Sequence, residues 1–236
     1  MTELKLYSTI AVQPVLEILV PRFEMAQGVK IAVVWGTAPQ LVKRLQGNET
    51  GPEYGDVLLL NRAGIDAMLG THRLMPESVT PIASSATAVA VKEGAARPDI
   101  SSEAALKRSL QDATAISYSH PDNGGASGIY FAKLLDRWGL REAIDAKTSF
   151  PPPGGLSAQF LPTGEVAFAI QQVPELLQVP GVEIVGPLPG DLHMVTHFVA
   201  GIETKSAQAD LAKAFIAFLV SPDAKALFRD KGLDPA

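Results

Sequence analysis

The sequence predicts an α/β fold built largely on parallel strands. Two observations carry this expectation. Through the first half, short apolar runs alternate with segments of helical periodicity, and each changeover is marked by Gly, Pro, Ser or Thr. Strands that alternate with helices imply βαβ units whose sheet is covered on both faces. The chain has 236 residues, enough for one large domain or two small ones.

Residues 4–7 read as a first strand, with Ser8-Thr9 as a polar junction after it. A helix follows, with Val15, Leu16, Leu19, Val20 and Phe23 on one stripe. Pro14 suits its first turn and Gly28 the position past its end, while Pro21 is expected to kink or break it. The pattern repeats: a β-branched run at 29–35, the junction Gly36-Thr37-Ala38, then a helix opened by Pro39 with Leu41, Val42 and Leu45 inward. Residues 56–60 form a third strand, followed by Asn61-Arg62-Ala63-Gly64 and a short helix through Leu69.

The middle of the chain continues in the same way. Strands are expected at 87–91 and 115–118, with a helix start at Ser101-Ser102-Glu103 between them. The run His120-Pro121-Asp122-Asn123-Gly124-Gly125-Ala126-Ser127-Gly128 leads into a helix carrying Ile129, Leu134 and Leu135. After a Pro- and Gly-rich loop at 148–156 come strands at 166–170, 182–185 and 196–202, with a short helix from Val173. The last helix is the most sharply patterned, with Leu211, Phe215, Phe218 and Leu219 as its core face.

Composition narrows the function classes. A net charge of -5, with no run of basic residues, argues against a nucleic-acid partner, since phosphate binding needs concentrated Lys and Arg. The absence of Cys excludes disulfides, thiolate catalysis and Cys-ligated metals. His193 and His197 are four apart in an extended segment and no His-Glu-x-x-His occurs, so neither a metal site nor a cofactor is expected. No Gly-x-Ser-x-Gly elbow, phosphate loop or Gly-x-Gly-x-x-Gly is present. No apolar stretch approaches the ~20 residues of a membrane span, and no secretion signal is visible, which leaves a periplasmic location (with a signal removed) and a cytoplasmic one both open.

Three strand-to-helix junctions carry small hydroxylated residues: Ser8-Thr9, Thr37-Ala38 and Ser127-Gly128. Parallel strands gather such junctions at their carboxyl ends, where the ligands of open α/β sheets bind. Unpaired N–H groups and the positive end of the helix dipole there suit an anion. Each hydroxyl taken alone is better read as a helix cap, and the three together shift the reading toward a ligand site. Arg62, just past a strand end, is a candidate for a bidentate carboxylate contact. Gln171 and Gln172 either line the site or cap the helix after them.

Residues 211–225 (LAKAFIAFLVSPDAK), with Gly232 and Pro235 beyond, closely resemble the terminal signature of the periplasmic molybdate-binding protein family, and Gly164-Glu165-Val166-Ala167-Phe168 resembles its turn and strand. The resemblance implies a two-lobed periplasmic-binding-protein-like (class II) fold with two crossing strands and a ligand in the interlobe cleft. Lobe 1 would comprise residues 1–83 and 198–236 and lobe 2 residues 84–197, with crossings near 84–88 and 192–198. In that family, hydroxyls at the first two junctions hold the oxyanion; these positions fall on Ser8 or Thr9 and on Thr37. The stretches 7–11 (YSTIA), 35–39 (WGTAP) and 122–128 (DNGGASG) depart from the family pattern, and with Arg62 nearby they point to a small organic carboxylate rather than molybdate.

The ligand-binding set is therefore Ser8, Thr9, Thr37, Ala38, Arg62, Ser127, Gly128 and Gln171. Three functions remain open. The first is a monomeric binding protein that delivers a small anion to an ABC-type permease. The second is an aconitate-isomerase-like enzyme, which the resemblance implies because some family members are aconitate isomerases; its base would be His193 or His197. The third is a cytosolic effector-sensing module.

Overall fold

The computed structural model describes residues 2–47, 51–122 and 125–236. In chain order the elements are β1 (Glu3–Thr9), α1 (Gln13–Gln27), β2 (Lys30–Gly36), α2 (Ala38–Gln46), β3 (Val57–Asn61), α3 (Arg62–Gly70), β4 (Thr80–Lys92), α4 (Glu103–Asp112), β5 (Ile116–Tyr118), α5 (Ala126–Trp138), α6 (Arg141–Asp145), β6 (Phe168–Gln172), α7 (Val173–Leu176), β7 (Val182–Pro187), β8 (Val195–Ile202), α8 (Ala209–Leu219), α9 (Pro222–Asp230) and β9 (Asp234–Pro235). The chain divides into two compact units, Met1–Ser84 with Thr196–Ala236, and Ser85–Val195. It leaves the first unit within β4 and returns to it at the start of β8.

In the first unit, β2, β1 and β3 are parallel neighbours, with Thr9 opposite Gly36 and Ser8 opposite Leu59. β8 joins β3 antiparallel, Asn61 facing Phe198. Alternation along β3 sets the layers: Val57 and Leu59 pack with Leu4, Leu6, α1, α8 and α9 on one face, while Leu58 and Leu60 pack with Leu41, Leu45, Ile65 and Met68 on the other. α1 ends at Gly28, whose left-handed φ of 65° suits a residue without a side chain.

The second unit has β4 between β7 and β6, antiparallel to both, and β5 parallel to β6 with Tyr118 opposite Ile170. Val89, Val91, Ile116, Phe168 and Ile170 face α4 and α5. Ala88, Ala90 and Ala169 face Ala158, Leu161 and Leu176. The sheets are thus mixed: the expectation of parallel pairing holds for β1, β2, β3 and for β5 with β6, and fails wherever β4 or β8 takes part.

Three other differences have physical causes. α1 runs unbroken through Pro21, because Pro21 and Glu17, whose carbonyl loses its partner, both lie on the exposed side, while Leu19 and Phe23 keep both turns packed. β4 begins seven residues earlier than its β-branched centre suggests, since the small residues 83–88 extend only where neighbouring strands pair with them. The helix carrying Leu211 to Leu219 is not the last, because Ser221 and Pro222 start another, with Ser221 Oγ accepting from the Ala224 N–H at 3.3 Å. Among the described residues, no helix is long and apolar enough to cross a membrane.

Candidate functional site

In the first unit the parallel strands end together, bringing Ser8 and Thr9 (β1) beside Gly36 and Thr37 (β2). β8 runs the opposite way, so its second residue, Thr196, two before the Phe198 that faces Asn61, enters at this same end. Ser8, Thr9, Thr37, Ala38 and Thr196 are all buried. Ser8 Oγ has only a long 3.4 Å contact to the Thr9 carbonyl. The hydroxyls of Thr9, Thr37 and Thr196 have no hydrogen-bond partner among the described residues.

In the second unit, the carboxyl ends of β5 and β6 gather a second set. Ser127 lies in the first turn of α5, directly after β5, and Gly128 packs so closely on the strand end that a Cβ there would overlap the Ser119 carbonyl oxygen. Gln171, at the end of β6, accepts from the Ser157 N–H at 2.7 Å and donates to the Gly155 carbonyl at 3.3 Å. It thereby fastens the Pro- and Gly-rich loop to the sheet. Ser157 and Gln172 are buried beside it, and Ser127 Oγ, Ser157 Oγ and Gln172 Oε1 likewise lack partners.

Helix capping does not account for the Thr9 and Ser127 hydroxyls. Where this chain uses a side-chain cap, the bond is made: Asn61 Oδ1 accepts from Gly64 at 2.9 Å and Ser102 Oγ from Ala105 at 3.1 Å. Thr9 makes no side-chain cap bond, and α5 is capped by Gly125, not Ser127; Thr37 stands in a capping box with Gln40, though its hydroxyl lies outside hydrogen-bond distance of any described group. At Thr37 it is the backbone N–H that is engaged, by Gln40 Oε1 at 3.0 Å. A buried polar group without a partner costs about 1–3 kcal/mol. The hydroxyls of each unit are donors that suit a ligand rich in acceptors.

The remaining sequence-predicted residues are placed differently. Arg62 is exposed and ion-pairs with Asp66 one turn along α3, at 2.8 Å. His193 follows a turn at Gly190–Leu192 and is exposed. His197 is exposed too, and strand alternation sends it to the opposite face of β8 from Thr196. Asn123 and Gly124 lie outside the described residues. Among those described, no cluster of three or more His, Asp and Glu could hold a metal ion.

Sequence reasoning missed Thr196, Ser157 and Glu175. Glu175 sits in the first turn of α7 and is buried. Burial pushes its carboxyl up to about 7, against the opposing pull of the Gln172 N–H, which it accepts at 3.4 Å, and of the Gln171 side chain. The one available signal was Gln172-Val173-Pro174-Glu175, which has the spacing of a helix start with an acidic third residue.

The family model for bacterial extracellular solute-binding proteins matches residues 4–234. An aconitate isomerase from Pseudomonas sp is 31% identical over 240 residues, covering 99% of this chain and 88% of that protein. Among solved structures, the periplasmic molybdate-binding protein of Azotobacter vinelandii superposes with a TM-score of 0.71 at 16% identity, covering 98% of each chain. The sulfate-binding protein of Mycobacterium tuberculosis superposes at 0.73 and 16% identity over 100% of this chain and 88% of that one. A periplasmic thiamin-binding protein reaches 0.74 at 14% identity, over 99% of this chain and 83% of that one. At these identities the superpositions show the two-lobed periplasmic-binding-protein fold and not the ligand. With the family model spanning nearly the whole chain, this protein belongs to the bacterial extracellular solute-binding proteins.

Proposed function

We propose that the chain binds a small anion through the unpaired strand-end hydroxyls and delivers it, outside the cytoplasm, to an ABC-type permease. The observation that carries this reading is that each unit gathers buried hydroxyls without partners near the carboxyl ends of its parallel strands: Thr9, Thr37 and Thr196 in the first, Ser127 and Ser157 in the second. Hydroxyl donors suit an acceptor-rich guest. They bind it without a counter-charge, which fits Arg62 being occupied by Asp66. A small organic carboxylate is the favoured ligand class.

A second reading is favoured by the full-length likeness to an aconitate isomerase. The chain would then move a proton and a double bond within a tricarboxylate held at the same hydroxyls.

Thermal-shift titration against cis- and trans-aconitate, other di- and tricarboxylates, molybdate and sulfate separates the outcomes. A binder stabilises by RT ln(1 + [L]/Kd). Stabilisation by a carboxylate without turnover supports delivery, and interconversion of the two aconitates supports the isomerase. No stabilisation by any of these anions would overturn both.

A further inference from the structure

We propose that Glu175 is a positioning residue that couples anion binding to retention of a proton. The inference rests on the proposed anion-binding function. Its basis is a buried chain of contacts: Glu175 accepts from the Gln172 N–H at the end of β6 and is engaged by the Gln171 side chain, and Gln171 holds the Ser157 N–H and the Gly155 carbonyl. The partnerless hydroxyl here, Ser157 Oγ, therefore belongs to a residue whose N–H is held by Gln171, the partner of Glu175.

Among the described residues, no cation offsets this carboxyl. β6 and the turn Ser157–Phe160, both packed against α7, carry no titratable side chain. β7 contributes only Glu183, which is engaged by Arg97 at the surface. The rest of the surrounding cluster is apolar: Ala88, Ala158, Leu161, Ala169 and Leu176. Ionised, Glu175 would set an uncompensated negative charge in a poorly screened interior beside the place where an anion is to be held. Protonated, it leaves the anion unopposed. Neutral pH lies where the carboxyl changes state.

Two measurements on the intact chain test this. In the absence of any ligand, the melting temperature is followed from pH 5 to 8.5. A raised folded-state pKa means that stability is full at low pH and declines as pH rises through about 7. Wild type should lose stability across that window relative to Glu175→Gln; superimposable profiles would overturn the proposal. In the second measurement, affinity for trans-aconitate is determined over the same range. Wild-type Kd should weaken by up to about tenfold per pH unit above the transition. Glu175→Gln should bind with a flat profile, while Glu175→Leu, which cannot hold the two Gln residues, binds weakly throughout. Parallel profiles for wild type and Glu175→Gln would refute the coupling. Absence of trans-aconitate binding at every pH would count against the carboxylate reading, and the ligand-free profiles would still decide the state of Glu175.

Discussion

Gln171 ties Ser157 to the sheet of the second unit: the amide oxygen near the end of β6 takes the backbone N–H of a residue just after the Pro151-Pro152-Pro153 loop, at 2.7 Å. This bond leaves the Ser157 hydroxyl buried and unengaged. Replacing Gln171 with Leu removes both of its loop contacts and strands a buried N–H, so stability should fall by about 1–3 kcal/mol. Affinity for the ligand should fall as well, because Ser157 is no longer held. Denaturant titration alongside calorimetry checks both effects; unchanged affinity would take Ser157 out of the site.

Thr37 gives the complementary case. Its hydroxyl is buried without a partner in hydrogen-bond distance, and circular dichroism checks that Thr37→Glu keeps the fold. The added carboxylate replaces a donor with a negative charge, and Kd should weaken by at least about tenfold, the equivalent of 1.4 kcal/mol. Thr37→Ser should bind like wild type. Equal affinity for Glu and Ser variants would remove the second junction from the site.

Phe215 is fully buried and meets Phe23 edge-to-face, with ring centroids 5.1 Å apart. Phe215→Ala should cost about 3–5 kcal/mol as a core truncation, read as a lowered denaturant midpoint at constant m-value.

Arg73 and Glu203 form the most buried ion pair of the first unit. Glu203 is 0% exposed, accepts from Arg73 Nε at 2.7 Å, and also takes the Gly55 N–H. Arg73→Met leaves that carboxylate unpaired, and stability should drop by about 3–5 kcal/mol. The double variant Arg73→Met/Glu203→Gln should recover part of the loss, which a double-mutant cycle measures.

The strand and helix order was readable because runs such as Ile31 to Val34 and Leu58 to Leu60 are apolar with sharp Gly or Asn ends. The first half of β4 was not, since Ala83, Ser84, Ser85 and Ala86 have no strand preference of their own and are extended by their neighbours. The same division applies to the site. Ser8, Thr9, Thr37 and Ser127 mark local strand-to-helix changes that a sequence displays. Thr196 enters from an antiparallel strand, and Ser157 from a loop without periodicity, so only tertiary pairing brings them to strand ends. Pro21 misled in the opposite direction, because what a proline costs depends on which side of the helix faces water.

The two passages of the chain between units also constrain how the protein is made. Residues 85–195 are contiguous, so the ribosome delivers the second unit whole. The first unit receives β1, α1, β2, α2, β3 and α3 early, but β8, which lies between β3 and β4 in the sheet, and the α8 and α9 cover over Leu16 and Phe23 are made only after the second unit. Until then the apolar stripe of α1 has no lid. The first unit therefore completes its folding only after α9 has been made, and the early segment is the one most in need of protection while it waits.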